Sequence, residues 1–162
     1  MATITATLSV NSDISDYGGP TISKTMTMTK AGSTVGLERT SGLLRKHLTA
    51  ANEVDLIQGA AGVVADMTVS ATASAAKIYI KYLEADTSKY ITIGLGNQNN
   101  DADLTSKAND SNGNFFEMGR LYGDEWMIIP WDGTSATGDI TVHPSSASAA
   151  APAIIEYIVF FD

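Results

Sequence analysis

Polar and apolar residues alternate with period two along the first thirty positions. Ile4, Ala6, Leu8 and Val10 share one parity across Met1–Val10, and Thr3, Thr5, Thr7 and Ser9 take the other. The alternation returns over Thr21–Lys30, where Ile22, Met26 and Met28 oppose Thr21, Ser23, Thr25, Thr27 and Thr29. Successive side chains of an extended chain point to opposite faces, so the pattern predicts two strands that each bury one face and leave the other in water. Between them Asn11–Pro20 is rich in turn formers and reads as a loop. Gly32-Ser33 then provides a tight connection, after which Thr34–Arg39 returns antiparallel in a first hairpin.

Further along, Leu44 and Leu48 lie four apart, as do Leu43 and His47, which admits a helix or helical turn over Thr40–Asn52 that Gly42 weakens at its start. Val54–Gln58 reads as a short strand. Val63–Ala71 reads as one longer strand with Val63, Ala65, Met67, Val69 and Ala71 on a single face. Lys77–Glu84 and Lys89–Leu95, both rich in Ile and Tyr, predict a hairpin turning through Ala85–Ser88, with Ile91, Ile93 and Leu95 inward and Thr92 and Gly94 outward. A long polar loop, Gly96–Asn114, follows. Phe115–Met118, Trp126–Trp131 and Ile140–His143 are further strands, separated by turn signals at Gly123-Asp124 and Asp132-Gly133. Ser145–Pro152 is an Ala/Ser tract with side chains too small to form a core. The final segment, Ala153–Phe161, is apolar except at Glu156 and predicts a strand covered on both sides.

About ten strands at this spacing, without alternating helices, define an all-β chain: an antiparallel β-sandwich, jelly-roll-like, with at most one short helix. A length of 162 residues fits a single domain spanning 1–162. A net charge of −8 opposes binding to a polyanion, so nucleic acid is excluded as an expected partner. The chain has no cysteine, which rules out disulfides and thiolate metal sites and suits synthesis in a reducing cytoplasm. No basic stretch followed by an apolar run opens the sequence, and no apolar segment reaches spanning length, so neither a signal peptide nor a membrane helix is expected.

Catalytic constellations are not legible. A nucleophile elbow of the Gly-x-Ser-x-Gly kind is missing. His47 and His143, the only histidines, sit in separate polar contexts and read as surface or loop residues, with no zinc spacing. The Gly96–Asn114 loop offers oxygen donors including Asn97, Asp101, Asp103 and Asp110 for calcium, yet the EF-hand register fails. With Gly113 at the turn glycine, Ala108 falls at the first ligand position and Gly119 where the bidentate Glu belongs. The carboxylate pairs Glu84/Asp86, Asp101/Asp103 and Asp124/Glu125 resemble a glycosidase pair only in number, because all lie beside turn residues. No cofactor site is expected. Two features are candidates for an interface. Arg45-Lys46-His47 is the one concentrated basic cluster on an acidic chain, able to dock an acidic neighbour. Trp126 and Trp131, close to Tyr122 and Phe116, suit core packing first and interface anchoring second.

Several strings occur together in one order: Lys77-Ile-Tyr-Ile-Lys-Tyr-Leu83 leading into Tyr90-Ile-Thr-Ile-Gly94, then Gly123-Asp-Glu-Trp-Met-Ile-Ile-Pro-Trp131, then an apolar terminal strand. This order, covering Lys77–Asp162, resembles β-sandwich virion structural proteins of tailed bacteriophages. The first seventy residues resemble no family. The resemblance implies a non-enzymatic virion protein assembled in the host cytoplasm. Its expected role is capsid decoration or cementing as a homo-oligomer whose partner is the major capsid protein. The alternatives are a tail- or fibre-associated module that binds a receptor or glycan through Trp126, Trp131 or the Gly96–Asn114 loop, and a cellular carbohydrate-binding domain.

Overall fold

Alternation governs every long strand of the computed structural model, which describes residues 4–10, 22–29, 37, 39–57, 63–64, 67–68, 76–96, 116–132 and 139–161. None of these residues is helical, and all strand pairings among them are antiparallel. In chain order the strands are β1 (Thr5–Val10), β2 (Ile22–Thr27), β3 (Arg39–Thr40), β4 (Leu44–Leu48), β5 (Val54–Ile57), β6 (Val63–Val64), β7 (Met67–Thr68), β8 (Ala76–Tyr82), β9 (Tyr90–Leu95), β10 (Phe116–Tyr122), β11 (Trp126–Trp131), β12 (Ile140–Pro144) and β13 (Ala153–Phe161). One sheet runs β11-β8-β13, with β3 and β4 both on the far side of β13; the other runs β10-β9-β12-β5-β6-β7. β1 and β2 pair only with each other.

The connectivity is nested. β4 pairs with β13, β5 with β12, β8 with β11 and β9 with β10, so one half of the chain lies against the other in reverse order. Successive pairs alternate between the sheets, which is how a long antiparallel ribbon rolls into a jelly-roll sandwich. The inward faces supply one continuous core that includes Ile78, Ile80 and Tyr82 of β8, Ile91 and Ile93 of β9, Ile140 and Val142 of β12, and Ile155, Tyr157 and Val159 of β13. On β13 the inward positions are buried and the outward ones half-buried in strict alternation.

Four expectations change. The segment expected to admit a helix is β4, because Leu44 and Leu48 have the same parity as well as a helical spacing, and β13 presents an edge for the segment to join. Ser41 marks the break between β3 and β4: its N–H donates to the Val159 carbonyl and its hydroxyl accepts from the Val159 N–H, while Gly42 turns the chain at φ 70°. Val63–Ala71 is not one strand, since Val63 pairs with Thr68 and Val64 with Met67 across a two-residue connection. The first hairpin joins β1 to β2; of the return expected at Thr34–Arg39, the described residues show Leu37 N–H bonded to the Met28 carbonyl at 2.9 Å and Arg39–Thr40 paired with β13. β8 and β9 form no hairpin: they lie in opposite sheets, joined by an arch. Along β9, Ile91 and Ile93 are buried on the expected face, Thr92 is fully buried on the other, and Leu95 at the strand end is 38% exposed.

The arch is built by short polar side chains. Asp86 Oδ1 accepts from the Ser88 N–H at 2.9 Å and from the Ser88 hydroxyl at 2.6 Å, while Glu84 accepts from the Asp86 N–H at 3.2 Å and from Lys89 Nζ at 3.1 Å. A second crossing, the turn Tyr122–Glu125 between β10 and β11, packs directly onto it. Gly123 donates to the Lys89 carbonyl, Asp124 to the Tyr82 carbonyl, and Tyr82 in turn to the Glu125 carbonyl. A Cβ on Gly123 would stand 2.6 Å from the carbonyl oxygens of both Glu84 and Asp86, so only glycine fits. Asp124, at φ 67°, takes the left-handed conformation that completes the turn.

Two outcomes are expected. β13 spans nine residues, and burying its large inward side chains stabilises the sandwich by roughly 10 kcal/mol gross. Removing Tyr157–Asp162 gives insoluble protein; a soluble truncation that melts cooperatively would show the strand to be peripheral. The second concerns acid. The bonds from Asp86 N–H and Lys89 hold the Glu84 carboxyl below its ordinary 4.5, and Ser88 holds that of Asp86 below its ordinary 3.8. Depressed carboxyls contribute stability above those values and lose it as pH falls through the lower folded ones. Melting temperature followed from about pH 6 to about pH 3 should therefore drop more steeply for the wild type than for a Glu84→Gln, Asp86→Asn double variant; parallel curves would remove the arch from the acid response.

Candidate functional site

The outward face of the β11-β8-β13-β4 sheet gathers side chains from four strands into rows. In register, Trp126 lies opposite Lys81, Lys81 opposite Glu156, and Glu156 opposite Arg45, so one row crosses the whole sheet. Beside it run Ile128, Tyr79 and Ile158. Charges along the first row are internally matched. Both Nε and Nη2 of Arg45 reach Glu156 Oε2, at 3.2 and 3.0 Å, and Lys81 Nζ lies 2.6 Å from Asp124 Oδ1. These are surface pairs, each worth at most about 1 kcal/mol. The Asp124 hydrogen bond raises the Lys81 ammonium above its ordinary value, and burial followed by the Glu156 carboxylate raises the Tyr79 phenol. Tyr79 and Trp126 meet diagonally with ring centroids 6.2 Å apart.

Over this face stands the β1–β2 arm. Its register sorts the two strands cleanly: Thr5, Thr7 and Ser9 oppose Thr27, Thr25 and Ser23 on one side, with the Thr7 and Thr25 hydroxyls 3.0 Å apart. Ala6, Leu8 and Val10 oppose Met26, Lys24 and Ile22 on the other. The arm is seated only at its base. Met28 is 2% exposed and Ile4 and Ala6 are half-buried, but exposure rises to 48% at Leu8, 47% at Met26, 42% at Ile22 and 39% at Val10. The arm thereby lifts off the sheet and leaves an apolar groove of ≈ 500 Å³ between Ala6, Leu8, Lys24 and Met26 on one wall and Trp126, Met127 and Ile128 on the other. A second depression of ≈ 390 Å³ continues it toward Tyr79, Ile158 and Phe160.

This corrects the expectation that the apolar parity of both N-terminal strands is buried. The alternation is present and the strands form, yet a two-stranded arm has no second sheet of its own to cover the stripe.

The sequence candidates separate by strand parity. Arg45 and His47 of β4 are exposed on the same outward face as Trp126, at the opposite edge of the sheet, whereas Lys46 is half-buried. Trp126 is 49% exposed and Trp131 only 4%, so the two tryptophans of β11 part company: one borders the groove and the other packs in the core. Tyr122, 39% exposed, stacks on Tyr90 at 5.5 Å, with the Arg120 guanidinium 4.4 Å from the Tyr90 ring centre. Core packing therefore describes Trp131 and not Trp126 or Tyr122. His143 is 8% exposed on β12, an inner strand with every residue buried, which corrects its reading as a surface or loop residue. It lies in the sheet opposite to that of His47.

The paired carboxylates have structural partners: Glu84 and Asp86 build the arch, Glu125 accepts from the Tyr122 N–H at 2.8 Å, and Asp124 meets Lys81. Asp101, Asp103 and the calcium reading of Gly96–Asn114 fall outside the described residues beyond Gly96 itself. Among the described residues no group of three or more His, Cys, Asp or Glu side chains is placed to hold a metal, and no helix is long and apolar enough to cross a membrane. The residues that sequence reasoning missed at the site are Leu8, Lys24, Met26 and Tyr79. For Leu8 and Met26 the signal was parity, read as a buried face; Lys24 and Tyr79 were assigned to no face.

An all-β jelly-roll sandwich carrying an outer arm is thus the class that these features define. No family model and no curated protein matches the sequence. Among solved structures the chain is similar to the crystal structure of the Yersinia pseudotuberculosis-derived mitogen, at 10% identity over 76% of this chain and 86% of that one, with a TM-score of 0.37. A likeness at that level carries no argument about function.

The two tryptophans provide a direct check on the site. Trp131→Ala should cost about 3–5 kcal/mol of folding stability and Trp126→Ala under about 1 kcal/mol, measured by denaturant unfolding. Comparable losses would place Trp126 in the core.

Proposed function

We propose that this chain is a non-enzymatic assembly protein, a capsid decoration protein of a tailed-phage virion that stabilises the head by bridging neighbouring capsid subunits. The observation that carries the reading is the apolar stripe of the arm, Leu8, Val10, Ile22 and Met26, which the chain by itself leaves in water. Exposed apolar surface of this kind, rimmed by polar residues, marks a contact with another macromolecule. Support also comes from the outward sheet face, where Arg45 and His47 stand clear of the arm at the β4 edge, and from the resemblance of Lys77–Asp162 to phage β-sandwich proteins.

The mechanism is additive burial. Each copy contributes a modest contact across a seam of the shell, and repetition over the particle multiplies it. The glycan reading draws on Trp126, whose half-exposed ring offers a stacking surface, but the groove beside it is walled mainly by Leu8, Met26, Met127 and Ile128, which suits an apolar side chain better than a sugar's hydroxyls.

Immunogold electron microscopy on intact particles should label heads at many positions, and particles depleted of the protein should burst at lower temperature or milder osmotic shock. Label confined to tails, or unchanged burst thresholds, would overturn cementing.

A further inference from the structure

We propose that the groove between the arm and the β13 sheet is filled by the arm of a second copy of this chain, exchanged reciprocally. The inference rests on the assembly reading above and names the partner at this one surface.

Three observations select a second copy. The first is the arm's own incompleteness. An isolated two-stranded ribbon is marginal in water, and from Leu8 and Met26 to Val10 and Ile22 this one leaves the apolar side chains of its stripe 39–48% exposed, with Lys24 among them. A receiving surface for such a stripe exists in the same molecule: Trp126 and Ile128 on the outward side of edge strand β11, exposed and half-buried, with Met127 between them at the groove wall.

The second observation is charge. Lys24, Lys30, Asp13 and Asp16 cancel within the first thirty residues, so the rest of the chain holds the whole net charge of −8. Copies that met body to body would repel, whereas a neutral arm entering a neighbour's groove brings no like charge with it. Lys24, the arm's single charged residue among those described, sits within the apolar stripe opposite Leu8. Asp124 and Glu125, both exposed, immediately precede Trp126 at the groove; Lys81 engages Oδ1 of the first and the Tyr122 N–H Oε2 of the second, and the other oxygen of each carboxylate is the acceptor offered to the incoming ammonium.

The third is size. Two six-residue strands alone fall short of a standard interface, which takes about 20–30 residues from each partner. Reciprocal exchange adds each copy's groove wall to its arm, so that every copy contributes two surfaces to the contact in place of one. The arrangement is self-complementary and closes as a dimer.

The absence of cysteine makes the test clean. Chains carrying Leu8→Cys and chains carrying Ile128→Cys, distinguished by tags of different mass, are mixed and oxidised. The mixed disulfide should exceed both self-disulfides by about tenfold or more, and sedimentation of the wild type at tens of micromolar should show a dimer. Met26→Asp, at an exposed position of the arm, should raise the dissociation constant about tenfold or more, with a circular dichroism spectrum unchanged from that of the wild type. A wild-type monomer at every concentration, or a mixed disulfide no more abundant than the self-disulfides, overturns the inference. A monomer that still decorates particles overturns the exchange and leaves the decoration role standing; a dimer that ignores particles does the reverse.

Discussion

The sandwich depends on the close approach of two chain crossings at one end. Gly123 presses between the Glu84 and Asp86 carbonyls, and the surrounding backbone bonds tie the Tyr122–Glu125 turn to both β8 and the start of β9. At this point β8 has left one sheet for β9 in the other, and β10 has done the same toward β11. Clamping the crossings together fixes the separation and the relative register of the sheets. It also determines which parity of each strand points inward. With the crossings locked, Ile78, Ile80 and Tyr82 meet Ile91 and Ile93 across the core, and β13 closes the middle of its sheet.

The outward face follows from the same register. Because Trp126, Lys81, Glu156 and Arg45 are consecutive partners across four strands, a one-residue slip of any of them would turn that whole strand over. The charges in that row are matched, Arg45 by Glu156 within it and Lys81 by Asp124 of the adjoining turn. They therefore stabilise little and leave the apolar positions beside them, Ile128, Tyr79 and Ile158, as the surface available to be covered. Assembly needs that surface to be stiff, since a groove walled by a central sheet loses little conformational entropy when it is filled.

Much of the architecture was legible in local sequence. Trp126–Trp131 and Ala153–Phe161 are strands at the boundaries read from their apolar runs and the turn signals around them. What local sequence did not distinguish was hairpin from arch: Asp86 and Ser88 serve a corner between sheets as readily as a turn within one, and the choice depends on Gly123, more than thirty residues away. Nor does a spacing of four separate helix from strand, because Leu44 and Leu48 share a face under either period, and the β13 edge decides. Polarity of the neighbourhood misplaced His143 because β12 is inner and covered on both faces. Parity would have separated the tryptophans of the candidate site. Trp131 has the parity of Ile129, which is in the core, and Trp126 that of Ile128, which is outside.

The arm is the case in which the pattern was read correctly and its meaning was not. Alternation records which side chains are kept from water, but it does not say whether the cover comes from the same chain. For the core strands the cover is internal, and exposure along the inward positions of β8 falls to 0–1%. For β1 and β2 the same alternation ends in side chains 39–48% exposed. An apolar stripe that regular, on a ribbon that contributes so little to its own core, is the surface that the proposed exchange would cover. In the single chain, sequence pattern and burial disagree at Leu8, Val10, Ile22 and Met26; a surface fitted against the arm would reconcile them.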